Sequence, residues 1–290
     1  MFKKYGKTIA TVVIIVGLAI LNYPTIARTI NYYSAYNDIV DYSREIANTD
    51  ADELANTLSL ARAYNETLIG QYPKDPFQSK SIELDKRFES LPLLKEDARL
   101  GYLKIPSINL VAPVHYGTTD KVLVKNLGLL AGSSLPVGGR GSHAVISGHT
   151  GMATRKMFTD LDRVKEGDMF FIFSTGQKLA YQVDSVKIVK PENNKDLFID
   201  ADFEYVTLIT CTPVGVNDHR LLVRGKRVDY DFTDEDEMLD FNSGISAEEL
   251  IRLIFLVLSI AIIIVVITYT VKTHTKKQPK TKHAQKKTKS

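Results

Sequence analysis

The chain has 290 residues, 44% of them apolar, which is enough for one packed core of ordinary domain size and further segments. Its formal net charge of +3 is unevenly distributed, because residues 1–7 carry three lysines, residues 272–290 carry eight, and neither tail has an acidic residue. Residues 8–271 therefore carry a net charge of −8, which argues against nucleic acid as a partner of the folded domain.

Two uncharged, mostly apolar runs lie near the ends of the chain. Twenty residues without charge separate Lys7 from Arg28, and residues 253–271 form a second run of nineteen. A membrane-spanning helix needs about 20 apolar residues, so we predict an N-terminal segment at 1–28 and a transmembrane helix at 251–272. The first segment also has the charged start and apolar middle of a secretory signal, so it is either an uncleaved anchor or a cleaved signal peptide.

The charges that flank these runs predict how the chain lies in the membrane. Lysines occupy the outer side of both runs, and positively charged flanks remain in the cytoplasm. We therefore expect both termini inside the cell if the N-terminal segment is retained, and residues of about 29–249 outside it. The acidic stretch at 231–250 is interpreted as a solvated linker, and the tail at 273–290 as an unstructured end that contacts anionic lipid of the bilayer.

Residues 29–92 are predicted to form a helical region followed by a loop. Apolar side chains and one amide recur there every three or four residues, at Leu54, Leu58, Ala61, Asn65 and Leu68. This period predicts a helix over about 30–70, for which Asp50 or Asp52 is a suitable N-cap. Two prolines punctuate the following loop at 71–77, QYPKDPF, and prevent the helix from continuing.

The chain changes character near Arg99. Short runs rich in β-branched and aromatic residues follow one another, separated by Gly, Pro and Asn. This spacing is typical of an antiparallel barrel or sandwich, and the lack of alternating helical and strand patterns argues against a doubly wound α/β fold. We therefore assign residues 93–230 to an exported all-β domain.

The only cysteine of the chain, Cys211, ends the predicted strand at 203–211. Alternate side chains of a strand share one face, so Thr207 and Ile209 point the same way as Cys211. A lone cysteine is either a buried apolar residue or a reactive thiol, and a strand end that opens to a cleft suits the second role. If the next run pairs with this strand as a hairpin, Arg220 lies opposite Cys211, where a guanidinium would stabilise a thiolate or an oxyanion; the alternative is a surface arginine.

A thiol enzyme usually needs an acid or base partner, most often histidine. His149 ends a predicted strand among glycines, much as Cys211 ends its own, which favours it over His143 and His219. Those two are interpreted as ordinary surface residues beside strands, and His115 as a structural residue. The spacings of histidines and carboxylates fit no zinc site and one cysteine makes no thiolate site, so no metal or other cofactor is expected.

Three separated motifs resemble those of the sortase family. The strand end TLITC resembles the sortase signature TLxTC, with Thr207 and Thr210 as its threonines. The run CTPVGVNDHRLLVRGKR puts Arg220, and the run SLPVGGRGSHAVISGHTG puts His149, where sortases carry their active-site arginine and histidine. The order His, Cys, Arg differs from that of papain-like proteases, in which Cys precedes His. The resemblance implies a closed antiparallel β-barrel with His149, Cys211 and Arg220 as catalytic residues.

The sequence also resembles class C sortases, the pilus-building members of the family. Asp75, Pro76 and Phe77 resemble the Asp-Pro-aromatic lid motif of that class, and a C-terminal span with a lysine tail fits it too. If this segment is a lid, Asp75 pairs with Arg220 and Phe77 covers Cys211. Otherwise it is an ordinary surface loop.

The resemblance implies acyl transfer through a thioester. Cys211 would attack the Thr–Gly carbonyl of an LPxTG-like sorting signal on a pilin, His149 would donate and accept protons, and Arg220 would hold the substrate and the oxyanion. A lysine amine of the next pilin would then form an isopeptide bond. Val214 and Asp218 replace a tyrosine and a threonine common in the family, so pocket shape and substrate preference do not carry over in detail.

Three other functions agree with parts of the pattern. A housekeeping sortase would attach surface proteins to peptidoglycan amines by the same chemistry, but the lid motif and the second span count against it. A hydrolytic thiol protease would release its product to water and need no amine. A membrane-anchored receptor or adhesin would have the same topology without catalysis and would tolerate loss of Cys211.

Overall fold

The computed structural model of the chain describes residues 2–73, 75, 77, 98–232 and 247–275. The chain forms two compact units, one of Arg28–Gly244 and one of Met1–Ala27 with Ile245–Ser290. Pro76, most of the predicted acidic linker and the lysine tail beyond residue 275 lie outside the described residues.

Two of the helices have the length and composition of membrane spans, as predicted. The helices of the described residues are α1 (Phe2–Asn48), α2 (Ala51–Thr67), α3 (Asp120–Leu123) and α4 (Ala247–Thr275), with 3-10 turns at Pro106–Ile108, Leu161–Arg163 and Lys195–Leu197. Residues 8–48 of α1 and 250–272 of α4 are long and apolar enough to cross a membrane. Large apolar side chains on both helices are exposed, and such a surface is the one that lipid covers in a bilayer.

The helix predicted over about 30–70 is in fact two helices. α1 ends at Asn48 and α2 begins at Ala51, because Asp50 has an extended backbone and caps the second helix. The Asp50 carboxylate accepts a hydrogen bond from the backbone N–H of Asp52 at 2.9 Å, so Asp50 is the N-cap. α2 then buries the face formed by Ala61, Tyr64, Asn65 and Leu68.

Eight strands close into a barrel in the order β1-β2-β3-β4-β7-β8-β6-β5. They are β1 (Arg99–Ile105), β2 (Leu110–Tyr116), β3 (Leu127–Leu129), β4 (Ser142–Ser147), β5 (Met169–Ser174), β6 (Gln177–Val189), β7 (Glu204–Thr212) and β8 (His219–Val228). The predicted closed barrel is confirmed, but β2 pairs with β3 and β4 with β7 in parallel, so the sheet is mixed rather than antiparallel. Parallel neighbours need a crossover, which α3 supplies for the first pair and the β5–β6 hairpin for the second.

The strands that carry the predicted site are covered on both faces. The barrel interior is filled by apolar side chains that are at most 1% exposed, among them Ile146, Val206, Leu208 and Val223. On the outer face, Val145, Ile209 and Leu222 are also buried, and they pack with Leu197 of the segment before β7. Burial on both faces explains the nearly continuous apolar run of β7 and gives its end a rigid support.

The C-terminal half of α1 packs on the barrel beside β1. The Tyr42 hydroxyl donates a hydrogen bond to the Leu100 carbonyl at 3.1 Å. Asp38 accepts hydrogen bonds from Arg99 at 2.7 Å and pairs with His115 at 3.2 Å. His115 therefore lies at the contact between helix and barrel, which agrees with its predicted structural role.

Candidate active site

Three adjacent strands bring His149, Cys211 and Arg220 into one row. In the antiparallel pair of β7 and β8, Cys211 lies opposite Arg220, so the predicted hairpin pairing is confirmed. In the parallel pair of β4 and β7, Ser147 lies opposite Ile209, and His149 follows Ser147 by two residues as Cys211 follows Ile209. Residues in register share a face of the sheet, so the imidazole, thiol and guanidinium emerge side by side at one end of the barrel.

Backbone contacts of Gly148 fix where His149 leaves β4. The Gly148 N–H donates to the Ile209 carbonyl at 3.2 Å, and the Thr210 hydroxyl donates to the Gly148 carbonyl at 2.7 Å. A Cβ at Gly148 would lie 2.6 Å from Leu127 and 2.8 Å from the ring of Phe158, so only glycine fits. Thr210, the second threonine of the TLITC motif, thus joins the strand of the cysteine to the residue before the histidine.

Thr207, the first threonine of the motif, bonds to a buried histidine rather than to the row. His143 is 1% exposed, with Nε2 2.7 Å from the Thr207 hydroxyl and Nδ1 2.8 Å from the Phe198 carbonyl. A carbonyl only accepts, so Nδ1 carries the proton and Nε2 accepts from Thr207. Burial lowers the pKa of His143 to about 4, which keeps the ring neutral. The expectation that His143 is a surface residue is therefore wrong.

His219 also lies near the row, but it has a different neighbour from His149. It lies opposite Thr212 at the start of β8, is partly exposed, and contacts the exposed carboxylate of Asp218 at 2.8 Å. His149 is half-buried, and burial lowers the pKa of its imidazole while the nearby charge of Asp120 opposes this change. The imidazole of His149 is therefore neutral at pH 7 and able to accept a proton.

The Cys211 thiol is half-buried and lies between charges of opposite sign. Burial raises its pKa, the guanidinium of Arg220 acts to lower it, and the carboxylate of Asp75 acts to raise it. The net direction is upward, so the thiol is protonated at neutral pH in this arrangement. A neutral thiol and a neutral imidazole at one site suit transfer of a proton from sulfur to nitrogen during attack on a carbonyl.

Arg220 is buried, and its donors are taken by Asp75 and by two backbone carbonyls. It is 6% exposed, so the alternative of a surface arginine is wrong. Its Nε and Nη2 each donate to one oxygen of the Asp75 carboxylate at 2.9 Å, a bidentate pair, and Nη1 donates to the carbonyls of Asn217 and His219 at 3.1 Å. A substrate carboxyl or carbonyl that needs this guanidinium must therefore displace Asp75.

Phe77 lies over the same row. Its ring centre is 6.1 Å from that of His149, and the Arg220 guanidinium carbon is 5.0 Å from the ring centre. The start of the segment is tied to the loop before β7: the Gly70 N–H donates to the Ile199 carbonyl at 2.9 Å, and the ring of Tyr72 lies 4.7 Å from that of Phe198. Residues 70–73 thus contact the loop before β7, and Asp75 and Phe77 contact the row; these six residues are called the lid segment below.

Two residues of the site escaped the reasoning from sequence. Gly148 and Gly151 look like ordinary turn glycines, but each admits a close contact that another residue would block. At Gly151 a Cβ would lie 2.5 Å from the Val214 side chain, so this glycine lets the loops that follow His149 and Cys211 touch. The only sequence signal was the glycine on either side of the pair His149-Thr150.

The chain is similar to known proteins over the segment that contains this site. A family model described as Sortase domain matches residues 103–228. Sortase A of Bacillus anthracis is 30% identical over 129 residues, which are 44% of this chain and 60% of that protein, less than two thirds of its length. The crystal structure of sortase C from Streptococcus pneumoniae is 41% identical with a TM-score of 0.62, and the match covers 67% of this chain and 97% of that one. The X-ray structure of sortase C from Clostridium perfringens SM101 is 38% identical with a TM-score of 0.57, covering 67% of this chain and 99% of that one.

The structural relatives are matched over nearly their whole length, and they are sortases C. The family match at residues 103–228 contains His149, Cys211 and Arg220. The chain therefore belongs to the sortase family of cysteine transpeptidases, and within that family to class C.

Proposed function

We propose that the chain polymerises pilin subunits, with Cys211 as nucleophile, His149 as proton carrier and Arg220 as the group that holds the substrate. The observation that carries the proposal is the row of these three side chains beneath Asp75 and Phe77. The sortase C of Streptococcus pneumoniae, similar in sequence and fold, is described in connection with pilin substrate specificity. The substrate we propose is a pilin that carries an LPxTG-like sorting signal.

The first half of the reaction forms a thioester. The sulfur of Cys211 attacks the Thr–Gly carbonyl carbon while its proton passes to His149, and the oxygen becomes an oxyanion near the Arg220 guanidinium. The C–N bond then breaks, His149 gives its proton to the departing glycine amine, and the acyl group remains on sulfur. The pKa directions at the site suit this sequence, because both groups start neutral.

The second half transfers the acyl group to an amine. The lysine side chain of the next pilin attacks the thioester, the new C–N bond forms as the C–S bond breaks, and His149 accepts the proton lost by the amine. Sulfur leaves as Cys211 and recovers its proton. The product is an isopeptide bond between two subunits, and repetition gives a covalent polymer.

Before any of this, the lid segment has to open. Asp75 occupies the Nε and Nη2 donors of Arg220, and Phe77 lies against His149. A two-state gate lowers apparent substrate affinity in proportion to the fraction of time that it is open. We propose that the closed arrangement is the resting state and that a pilin sorting signal displaces it.

The proposed place of the reaction is the outer surface of the cell membrane. Two helices that are apolar enough to span, each followed or preceded by lysines at a chain end, suit a bilayer partner with both termini in the cytoplasm. The unit of Arg28–Gly244 would then lie outside, where pilins are assembled.

The experiment combines purified full-length enzyme with a pilin that has the sorting signal. Cys211→Ala should abolish polymer formation and leave the fold intact, because one sulfur at a strand end is removed. His149→Ala and Arg220→Ala should each lower turnover at least ~10²-fold. The matched controls are His219→Ala and Arg140→Ala, since these side chains are on the surface and Arg140 pairs with exposed Asp202.

The same assay separates the alternatives. A thiol protease would release monomer without an amine acceptor and would form no polymer. A housekeeping sortase would transfer the signal to peptidoglycan amines in preference to a pilin lysine. Substantial polymer formation by Cys211→Ala, or by a chain without His149, would refute the proposed function.

A further inference from the structure

The loop that follows His149 is closed at its base and held at its tip by different parts of the molecule. At the base, the Phe158 N–H donates to the His149 carbonyl at 3.0 Å, and the Gly151 N–H donates to the Thr159 hydroxyl at 3.2 Å. Residues 149–158, called the histidine loop below, are not part of any strand or helix. What holds the middle of such a loop decides how firmly its first residue is oriented.

α1 holds the middle of the histidine loop by its backbone. Arg28 Nε donates to the Ala153 carbonyl at 2.6 Å and Nη2 donates to the Met152 carbonyl at 3.3 Å. Asn31 Nδ2 donates to the Thr154 carbonyl at 3.0 Å. Three successive carbonyls of the loop are thus bonded to two side chains that are three residues apart, on one face of the helix.

Arg155 completes the contact from the loop side. Its Nη2 donates to Asn31 Oδ1 at 2.8 Å, so the Asn31 amide both donates to the loop and accepts from it. Its Nη1 donates to the Lys125 carbonyl at 2.9 Å, which links the loop to the turn before β3. Bonds from a guanidinium to a carbonyl are charge-assisted and stronger than bonds between neutral groups.

These contacts lie a short distance along the chain from the catalytic row. Met152 follows His149 by three residues. Gly151, which lies between them, packs closely against the side chain of Val214, in the loop after Cys211. A shift of the loop tip would therefore move both the imidazole and the neighbour of the thiol. Displacements of about 1 Å at a reacting group cost on the order of 10²-fold in rate.

We propose that Arg28 and Asn31 are positioning residues for His149, and that the helix which carries the N-terminal uncharged run is thereby part of the active-site scaffold. The inference rests on the proposed function, because it takes His149 as the proton carrier. Arg28 is the first charged residue after that run, and α1 continues without a break from the run through Arg28 to Asn31. Arg28, Asn31 and the histidine loop all belong to the unit of Arg28–Gly244.

The test uses the full chain in detergent micelles and an LPxTG peptide with a lysine-amine acceptor. Arg28→Ala and the double variant Arg28→Ala/Asn31→Ala should lower kcat about 10-fold, with KM within about 2-fold, because the substrate contacts remain while the imidazole loses its orientation. Arg28→Lys should recover part of the rate, since an ammonium still donates to one carbonyl. The matched control is Arg44→Ala on the same helix, whose exposed side chain pairs with exposed Asp41.

Amide hydrogen exchange gives a readout independent of activity. In the double variant, exchange in residues 150–156 should speed up while exchange in β7 and the melting temperature stay as in the wild type. Unchanged exchange, or faster exchange with unchanged kcat, would overturn the positioning role. A loss of rate that follows a general loss of stability would overturn it too, since that marks a merely structural contact. If the wild type itself transfers nothing to the amine, the proposed function fails, and the exchange arm still tests whether α1 orders the loop.

Discussion

Three influences set the pKa of the Cys211 thiol. Burial and the negative charge of Asp75 raise it, and the positive charge of Arg220 lowers it. Burial is the main cause of the raised pKa of the thiol. A cysteine enzyme at rest with a protonated thiol is slow to react with water-borne electrophiles. If the proposed opening of the lid segment moves Asp75 away, one of the two influences that raise the pKa of this thiol is removed.

A charge-removing variant of Asp75 tests this coupling. In Asp75→Asn the group that raises the pKa of Cys211 is lost, and the positive charge of Arg220 remains, so the pKa of the thiol should fall. The rate of alkylation by iodoacetamide follows the thiolate, and its midpoint should therefore move to lower pH than in the wild type. The control is Asp202→Asn, which removes an exposed carboxylate on the surface of the barrel. A midpoint that stays in place would show that Asp75 does not set the acidity of Cys211.

His143 provides a second prediction at this scale, on stability. His143→Ala leaves the Phe198 carbonyl and the Thr207 hydroxyl without their buried partner, which should cost about 2–4 kcal/mol in the free energy of unfolding. His219→Ala, at the surface, should cost less than about 0.5 kcal/mol. Urea unfolding at pH 7 measures both.

The same residue predicts a pH dependence with a definite sign. Its pKa of about 4 in the fold is below the ordinary value of 6.5, so the unfolded chain binds more protons between these values. The contribution of His143 to stability is therefore complete above pH 6.5 and is lost as pH falls from 6.5 through about 4. In His143→Gln this part of the acid dependence should disappear; an unchanged slope would contradict the assignment of a buried neutral ring.

Among the elements, β7 makes contacts on both of its faces that support the site. Thr210 points inward and bonds to Gly148, which fixes the exit of β4, while Thr207 points outward and bonds to His143. Since His143 also bonds to the Phe198 carbonyl, β7 holds the loop on which Tyr72 of the lid segment rests. β7 thus carries Cys211, holds the end of β4 before His149, and supports the loop that Tyr72 contacts.

The lid segment should control access to Cys211. Replacing Asp75 and Phe77 with Ala removes the bidentate pair with Arg220 and the ring beside His149. Labelling of Cys211 by a bulky maleimide should then speed up on the order of 10-fold, as for a gate that is open about a tenth of the time. Thermal stability should fall slightly, because packing over the site is lost.

A matched double variant separates this effect from general loosening. Asp202→Ala/Phe203→Ala removes an exposed acid and a partly exposed ring from the barrel surface, where Phe203 stacks on Tyr205. It should leave the labelling rate unchanged. Equal labelling rates in the wild type and in the Asp75/Phe77 variant would mean that the segment does not guard the sulfur.

For the whole molecule, charge and hydropathy divide the chain at the same places. The unit that contains the barrel lies in the acidic part of the chain, and the basic residues of both tails flank the two apolar helices. Lysine-rich ends next to apolar helices stay in the cytoplasm. A chain with a single cysteine cannot close an internal disulfide, whichever side of a membrane the domain lies on.

Cysteine labelling of intact cells tests this arrangement. In a Cys211→Ala background, Val216→Cys introduces a thiol at a side chain that is 66% exposed on the barrel unit, and Ser290→Cys introduces one at the C-terminal residue. A membrane-impermeant maleimide should label the first in intact cells and the second only after permeabilisation. Labelling of residue 290 in intact cells would contradict a cytoplasmic C-terminus.

Local patterns determined much of this protein from sequence alone. Uncharged runs predicted both apolar helices, because a helix must satisfy its backbone within the membrane and therefore needs about 20 apolar residues in succession. Short β-rich runs predicted the barrel strands, and the position of Cys211 at a strand end predicted its place opposite Arg220, since a hairpin pairs neighbours in the chain. The N-cap of α2 is also predictable as Asp50 or Asp52, because a cap is a contact between residues only two positions apart.

Contacts between distant residues were decided only by the tertiary structure. The parallel pairing of β4 with β7 depends on how the barrel closes, and it alone puts His149 level with Cys211. The burial of His143 is one example. The residues next to it in sequence do not show that the loop carrying Phe198, 55 positions away, covers the outer face of β4. The link of Arg28 to the histidine loop joins residues more than a hundred positions apart, and no local pattern encodes such a contact because its energy is realised only when the whole barrel has formed.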